Sequence, residues 1–133
     1  MQRVEGCNPG RRATVELVVG DADTALAMGS GDVPMLASPR VVALAEQAAM
    51  RALGECLPEG KTSVGAWVEL EHLSPTPLGR KVEAEATLLG VHGRRLEFSI
   101  VVREGGEEIA VVRHRRVLVS RERFLDGERA ERA

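Results

Sequence analysis

Apolar and polar side chains alternate from Ala13 to Val19, between Arg11-Arg12 and Gly20-Asp21, which predicts a short half-buried strand. Residues 20–37 mix Asp, Gly, Ser and Pro with scattered Leu and Met and hold no sustained period. A loop is expected there, with room for a turn of helix, placed to line or cover a pocket. Ser38-Pro39 reads as a helix start, with the Ser hydroxyl as N-cap and Pro at the first helical position, where its missing N–H costs nothing. From there to Cys56 or Leu57, a step of about 100° per residue gathers Arg40, Gln47, Arg51 and Glu55 on one strip. Nearly everything else on the helix is apolar or small, so it is expected to be wrapped on several sides until Pro58-Glu59-Gly60 ends it.

The period then changes to two. Val64, Ala66, Val68, Leu70 and His72 are expected on one face of a second strand, with Gly65, Trp67, Glu69, Glu71 and Leu73 on the other. Beyond the Pro75–Gly79 turn, Val82, Ala84, Ala86 and Leu88 alternate with Lys81, Glu83, Glu85 and Thr87. A turn near His92-Gly93 leads to Leu96, Phe98, Ile100 and Val102, and Glu104-Gly105-Gly106-Glu107 leads to a fifth strand through Val119. One strand, one long apolar helix and an antiparallel run of strands make an α+β domain. The economical form is a hot-dog fold, an antiparallel β-sheet wrapped around one long central α-helix, although the hairpin pattern alone also fits another helix-on-sheet fold. No internal repeat or low-complexity linker interrupts the chain, so residues 1–133 read as a single domain with its core at about 13–124 and a polar tail at 125–133.

Composition narrows the function classes. With 44% hydrophobic and 29% charged residues in 133, the chain can build a core and is not of the disordered class. A net charge of −2 and only 2% aromatic residues disfavour nucleic acid, which needs basic surface and stacking platforms. No apolar stretch approaches the length of a membrane span, and Met1–Cys7 has no apolar signal run. Cys7 and Cys56 match no metal spacing and suggest no disulfide framework, so a reducing compartment, the cytoplasm, is expected.

Three residues stand out for chemistry. Glu46 lies off the polar strip, beside Val42, Ala49 and Leu53; it is either a helix-edge carboxylate passing small neighbours to solvent or a carboxylate in a pocket. His72 ends the second strand on the apolar parity, and the turn formers Ser74-Pro75-Thr76-Pro77 would hold that end rigidly at a pocket rim, although a lone His there is more often structural. Ser38 can cap the helix and orient a substrate carbonyl or water as well. Ser38 and Glu46 are eight residues apart, about 12 Å along the axis, so their contact needs a reaching carboxylate or a substrate between them. Gly29-Ser30-Gly31 is no dinucleotide fingerprint, and His72, His92 and His114 lack zinc spacing, so no nucleotide loop and no metal are expected. Arg113, Arg115 and Arg116 read as a solvated edge of the last strand.

Taken in order and spacing over about residues 14–124, Leu36-Ala37-Ser38, Val42-x-Leu44-x-Glu46, Val64-Gly65, His72-x-x-Pro75-Thr76-Pro77-x-Gly79 and Gly93-Arg94-Arg95-Leu96 resemble bacterial hot-dog thioesterases of the fluoroacetyl-CoA thioesterase type. The resemblance implies hydrolysis of a small acyl-CoA thioester without metal or redox cofactor, coenzyme A entering as part of the substrate. It places the catalytic set on Ser38, Glu46 and His72, the family's acyl-site glycine on Gly65, and the pocket between the subunits of a homodimer joined sheet edge to sheet edge; tetramers are compatible with it. Val33, Met35 and Leu36 stand in the neighbourhood where the specialised enzyme has gating phenylalanines, which argues against fluoroacetyl specificity and leaves Val33 and Leu36 as substrate-binding candidates. Ala110, Val112, His114, Arg115 and Arg116 replace a last-strand pattern of two glycines before His-Glu-Arg. That departure keeps two other readings open: a non-catalytic acyl-CoA or ligand-binding module, and a hydratase or dehydratase on the same fold.

Overall fold

Strands β1 (Arg12–Val18), β2 (Lys61–His72), β3 (Lys81–His92), β4 (Arg95–Glu104) and β5 (Glu107–Ser120) form one antiparallel sheet in the order β1-β3-β4-β5-β2. The computed structural model describes residues 6–128, and the readings made on Met1–Glu5 and on 129–133 lie outside them. Between β1 and β2 come a 3-10 turn (Asp21–Asp23), the short helix α1 (Ala25–Met28) and the long helix α2 (Ser38–Leu53); α3 (Arg121–Leu125) follows β5, ahead of the polar tail expected from residue 125. Helix α2 buries Val41, Leu44, Ala45, Ala48, Ala49, Ala52 and Leu53. Against them the alternating positions of β3 and β4 present Val82, Ala84, Ala86, Leu88, Leu96, Phe98, Ile100 and Val102. The alanines on both surfaces let helix and sheet approach closely, and the wide apolar face of α2 is the consequence of a sheet that wraps it. The α+β hot-dog expectation holds.

Four details differ from the sequence reading. The N-cap of α2 is Ala37, with Ser38 and Pro39 inside the first turn, so the Ser38 hydroxyl is not spent on a cap. The helix also stops at Leu53, short of Cys56, because Gly54 turns the chain at φ 54° and Arg11 takes the last carbonyls, donating from Nε to Ala52 O at 2.9 Å and from Nη2 to Leu53 O at 3.1 Å. Cys7 and Cys56 are joined in a disulfide with Cα atoms 5.2 Å apart. Forty-nine positions separate them in sequence, but the fold lays the N-terminal arm beside the end of α2, and the argument from two free thiols to a reducing compartment no longer carries.

The fourth difference is a β-bulge in β2. Gly65 pairs with Arg116 and Trp67 with Arg115, leaving Ala66 as the extra residue. Side chains directly opposite each other share a face, so the bulge shifts the parity at Ala66. Gly65 joins Val68, Leu70 and His72 on the helix side, while Val64 lies with Trp67, Glu69 and Glu71 on the outer side, contrary to the strict alternation expected. Trp67 is half exposed there, with the Arg115 guanidinium 4.9 Å from its ring centre.

Candidate functional site

The loop between β1 and α2 is pinned to the turn after β2. Leu36 N–H donates to Thr76 O at 2.9 Å, Met35 bridges Pro77 and Thr24 bridges Leu36. Arg40 on the first turn of α2 meets Asp23 at 2.8 Å, and Ala37 N–H donates to Asp23 O at 2.9 Å. These ties set the start of α2 against the end of β2, where Ser38 Oγ and His72 Nδ1 lie 2.8 Å apart in hydrogen-bonding contact. Both line an open cleft of about 470 Å³ together with Val33, Leu36 and Pro75.

Burial pushes the His72 pKa below its ordinary 6.5, so the imidazole is neutral at neutral pH. Its Nε2 is buried without a hydrogen-bond partner among the described residues. With Nδ1 accepting the Ser38 hydroxyl, Nε2 carries the proton and can donate it to an incoming carbonyl oxygen or thiolate; in the other tautomer Nε2 is a free base. Either way the ring has one nitrogen held and one left for a ligand, which a buried polar atom needs to offset its lost hydration.

Glu46 lies two turns further along α2 and lines a second cleft, about 550 Å³, with Val15, Gln47, Met50, Arg51 and Arg116. Its Oε2 is 3.6 Å from Nη1 of Arg116. Arg116 is only 6% exposed, which corrects its reading as part of a solvated edge: β5 is an inner strand, and the edges are β1 and β2. Its guanidinium donates from Nε to Ser63 Oγ at 2.8 Å, from Nη2 to Ser63 O at 3.0 Å and from Nη1 to Nε2 of His114 at 3.0 Å. Burial lowers the guanidinium pKa and Glu46 acts against it; the group stays charged. Gly65 closes this arrangement, since a Cβ at that position would fall 2.5 Å from Glu46 Oε2.

The structure therefore brings Ser38, His72, Val33 and Leu36 together in one cleft, and Glu46 with Gly65 in the other. Among the described residues no hydrogen bond joins Glu46 to Ser38 or His72. Arg116, His114 and Ser63 were missed as site residues. The parity of β5 held a signal: Arg116 and His114 share the parity of Val112 and Leu118, which are buried, but arginines on both parities masked it. Among the described residues no group of three or more His, Cys, Asp or Glu could hold a metal ion, and no helix is long and apolar enough to cross a membrane.

A fluoroacetyl-CoA thioesterase of Streptantibioticus cattleyicolor is 34% identical over 84 residues, which are 63% of this chain and 60% of that protein. A solved structure of a fluoroacetyl-CoA thioesterase superposes with a TM-score of 0.84 at 30% identity, covering 92% of this chain and 95% of that one. A thioesterase superfamily member of Thermus thermophilus superposes at 0.85 with 25% identity, covering 92% and 90%. Residues 19–122, which include both clefts' polar groups, match the fluoroacetyl-CoA-specific thioesterase family, and the chain belongs to that family on a hot-dog fold.

Proposed function

We infer that the protein hydrolyses a small acyl-CoA thioester. The observation that carries this reading is the Ser38–His72 pair, 2.8 Å apart, with Nε2 of His72 buried and unpartnered at a cleft lined by Val33 and Leu36. A thioester carbonyl or its departing sulfur supplies the missing partner. His72 polarises the carbonyl or protonates the thiolate, and Ser38 orients the ring. Glu46 acts as general base on water or attacks the carbonyl as nucleophile, and Gly65 leaves room for the acyl group beside it. The working unit is a homodimer joined along β2. Two observations support it: β2 is a sheet edge with Trp67 and Val68 exposed, and one chain divides the polar groups between two clefts. A substrate lying across the junction meets Ser38–His72 and a Glu46 carboxylate together.

The test is free-thiol release from short aliphatic, branched and aromatic acyl-CoAs by the wild type, Glu46→Gln and His72→Ala. One acyl class is expected to turn over, with each variant about 10²-fold or more slower. Full turnover by Glu46→Gln overturns the assigned roles. Tight acyl-CoA binding with no thiol release replaces the reading by a binding module, and growth of an enoyl thioester absorbance replaces it by hydration chemistry.

A further inference from the structure

The buried network behind Glu46 has a member whose protonation state the geometry dictates. His114 is 2% exposed on β5, facing α2, and its ring packs against Phe98 with centroids 6.2 Å apart. Its Nδ1 lies 2.9 Å from the carbonyl oxygen of Trp67, at the bulge of β2. A carbonyl only accepts, so Nδ1 carries a proton. Its Nε2 lies 3.0 Å from Nη1 of Arg116. A guanidinium only donates, so Nε2 is bare. One neutral tautomer satisfies both contacts, and a second proton would set two donors face to face inside the protein. The charged and titratable groups facing the ring are Arg116 from its own strand and Glu46 from α2. From β2 the ring meets Gly65, whose Cβ would fall 3.3 Å from Cε1, and the Trp67 carbonyl.

We propose that His114 is a positioning residue of this site: as a neutral imidazole hung from the Trp67 carbonyl, it holds Nη1 of Arg116 against Glu46. Ser63 fixes the other side of the guanidinium through two hydrogen bonds, and His114 sets the remaining nitrogen, the one that meets the carboxylate. Acid that protonates His114 breaks the His114–Arg116 contact, frees Nη1 to turn and takes Glu46 out of register. Sequence spacing alone places His114 next to a cation; only the bulge, by presenting the Trp67 carbonyl, decides which nitrogen faces Arg116.

The inference rests on the hydrolase reading for its kinetic consequences, and the experiment separates the two. His114→Leu removes the acceptor and keeps an apolar filler; His114→Gln keeps one donor and one acceptor without titrating near neutrality. With the acyl-CoA that the wild type cleaves, His114→Leu is expected to lose kcat by about tenfold or more at little changed KM, and His114→Gln to recover most of that loss. The acid limb of log kcat is expected to be steeper in the wild type than in His114→Gln, which lacks the His114 titration, since His72 and Glu46 are the same in both proteins. Imidazole ¹⁵N spectra of the labelled wild type near neutral pH show a protonated Nδ1 and a bare Nε2 at His114, whatever the turnover. Folded His114→Leu with wild-type kcat overturns the proposal, as does a His114→Gln as impaired as the leucine variant. A spectrum showing the opposite tautomer or imidazolium overturns it as well. A wild type that releases no thiol removes the hydrolase reading alone, and the spectrum still decides the tautomer on which His114's role depends.

Discussion

Gly65 is the residue at which space matters most. A Cβ there would stand 2.5 Å from Glu46 Oε2 and 3.3 Å from the His114 ring. The first obstacle is the free end of a flexible side chain with a half-open cleft beside it, so the carboxylate yields before the backbone does. Gly65→Ala is therefore expected to fold with a Tm within a few degrees of the wild type and, on the role proposed for Glu46, to lose about 10²-fold in kcat, because about 1 Å of misplacement at a reacting group costs that much. Thermal melting and thiol release on one preparation check both halves. The same scale explains why Ser38 is free for His72. As the first residue inside the helix it has no capping duty, whereas the sequence pattern Ser-Pro read it as the cap.

At the scale of elements, α2 is held at both ends by residues far away in sequence. Its start is tied through Asp23 and Arg40, and its end through Arg11, whose guanidinium meets two of the carbonyls left without partners by the helix. A cation at the negative end of the helix dipole adds to those two bonds. Arg11→Ala is expected to destabilise the fold by about 1–2 kcal/mol. Chemical denaturation should show this as a lower midpoint at unchanged m, since little extra surface is exposed in either state. Helical period and breaker residues had carried the helix on toward Cys56; they contain no information on an arginine arriving from the opposite end of the chain.

For the whole molecule, acidity is the lever. Burial, joined for His114 by the Arg116 charge and opposed by the Trp67 carbonyl and Glu46, holds the pKa values of His72 and His114 below their ordinary 6.5. The unfolded chain takes up these two protons as pH falls through about 6.5, while the folded chain resists. Stability from these groups is thus fully present above that pH and is lost progressively below it. Urea unfolding free energies at about pH 8, 7, 6 and 5 are expected to level off at the upper end and decline toward the lower, and His114→Gln to decline less. A curve that rises on acidification would show the two rings to be charged in the folded protein.

The sequence by itself determined the architecture and named candidate residues for the chemistry. Period two in β3 and β4 and the alanine-rich face of α2 are local patterns, and each names its buried side without knowledge of the partner. Ser38, Glu46, His72 and Gly65 were legible as candidates because motif spacing survives in one dimension. Tertiary structure decided the rest. A single extra residue at Ala66 inverts a strand's faces, and no side-chain pattern on β2 alone signals it. That inversion sends Gly65 inward to Glu46 and turns the Trp67 carbonyl to His114, while the parity of β5, with Arg116 opposite buried Leu96, makes Arg116 an interior cation. The disulfide between Cys7 and Cys56 and the hold of Arg11 on α2 likewise depend on which segments meet in space, and hydrophobic period carries no record of that.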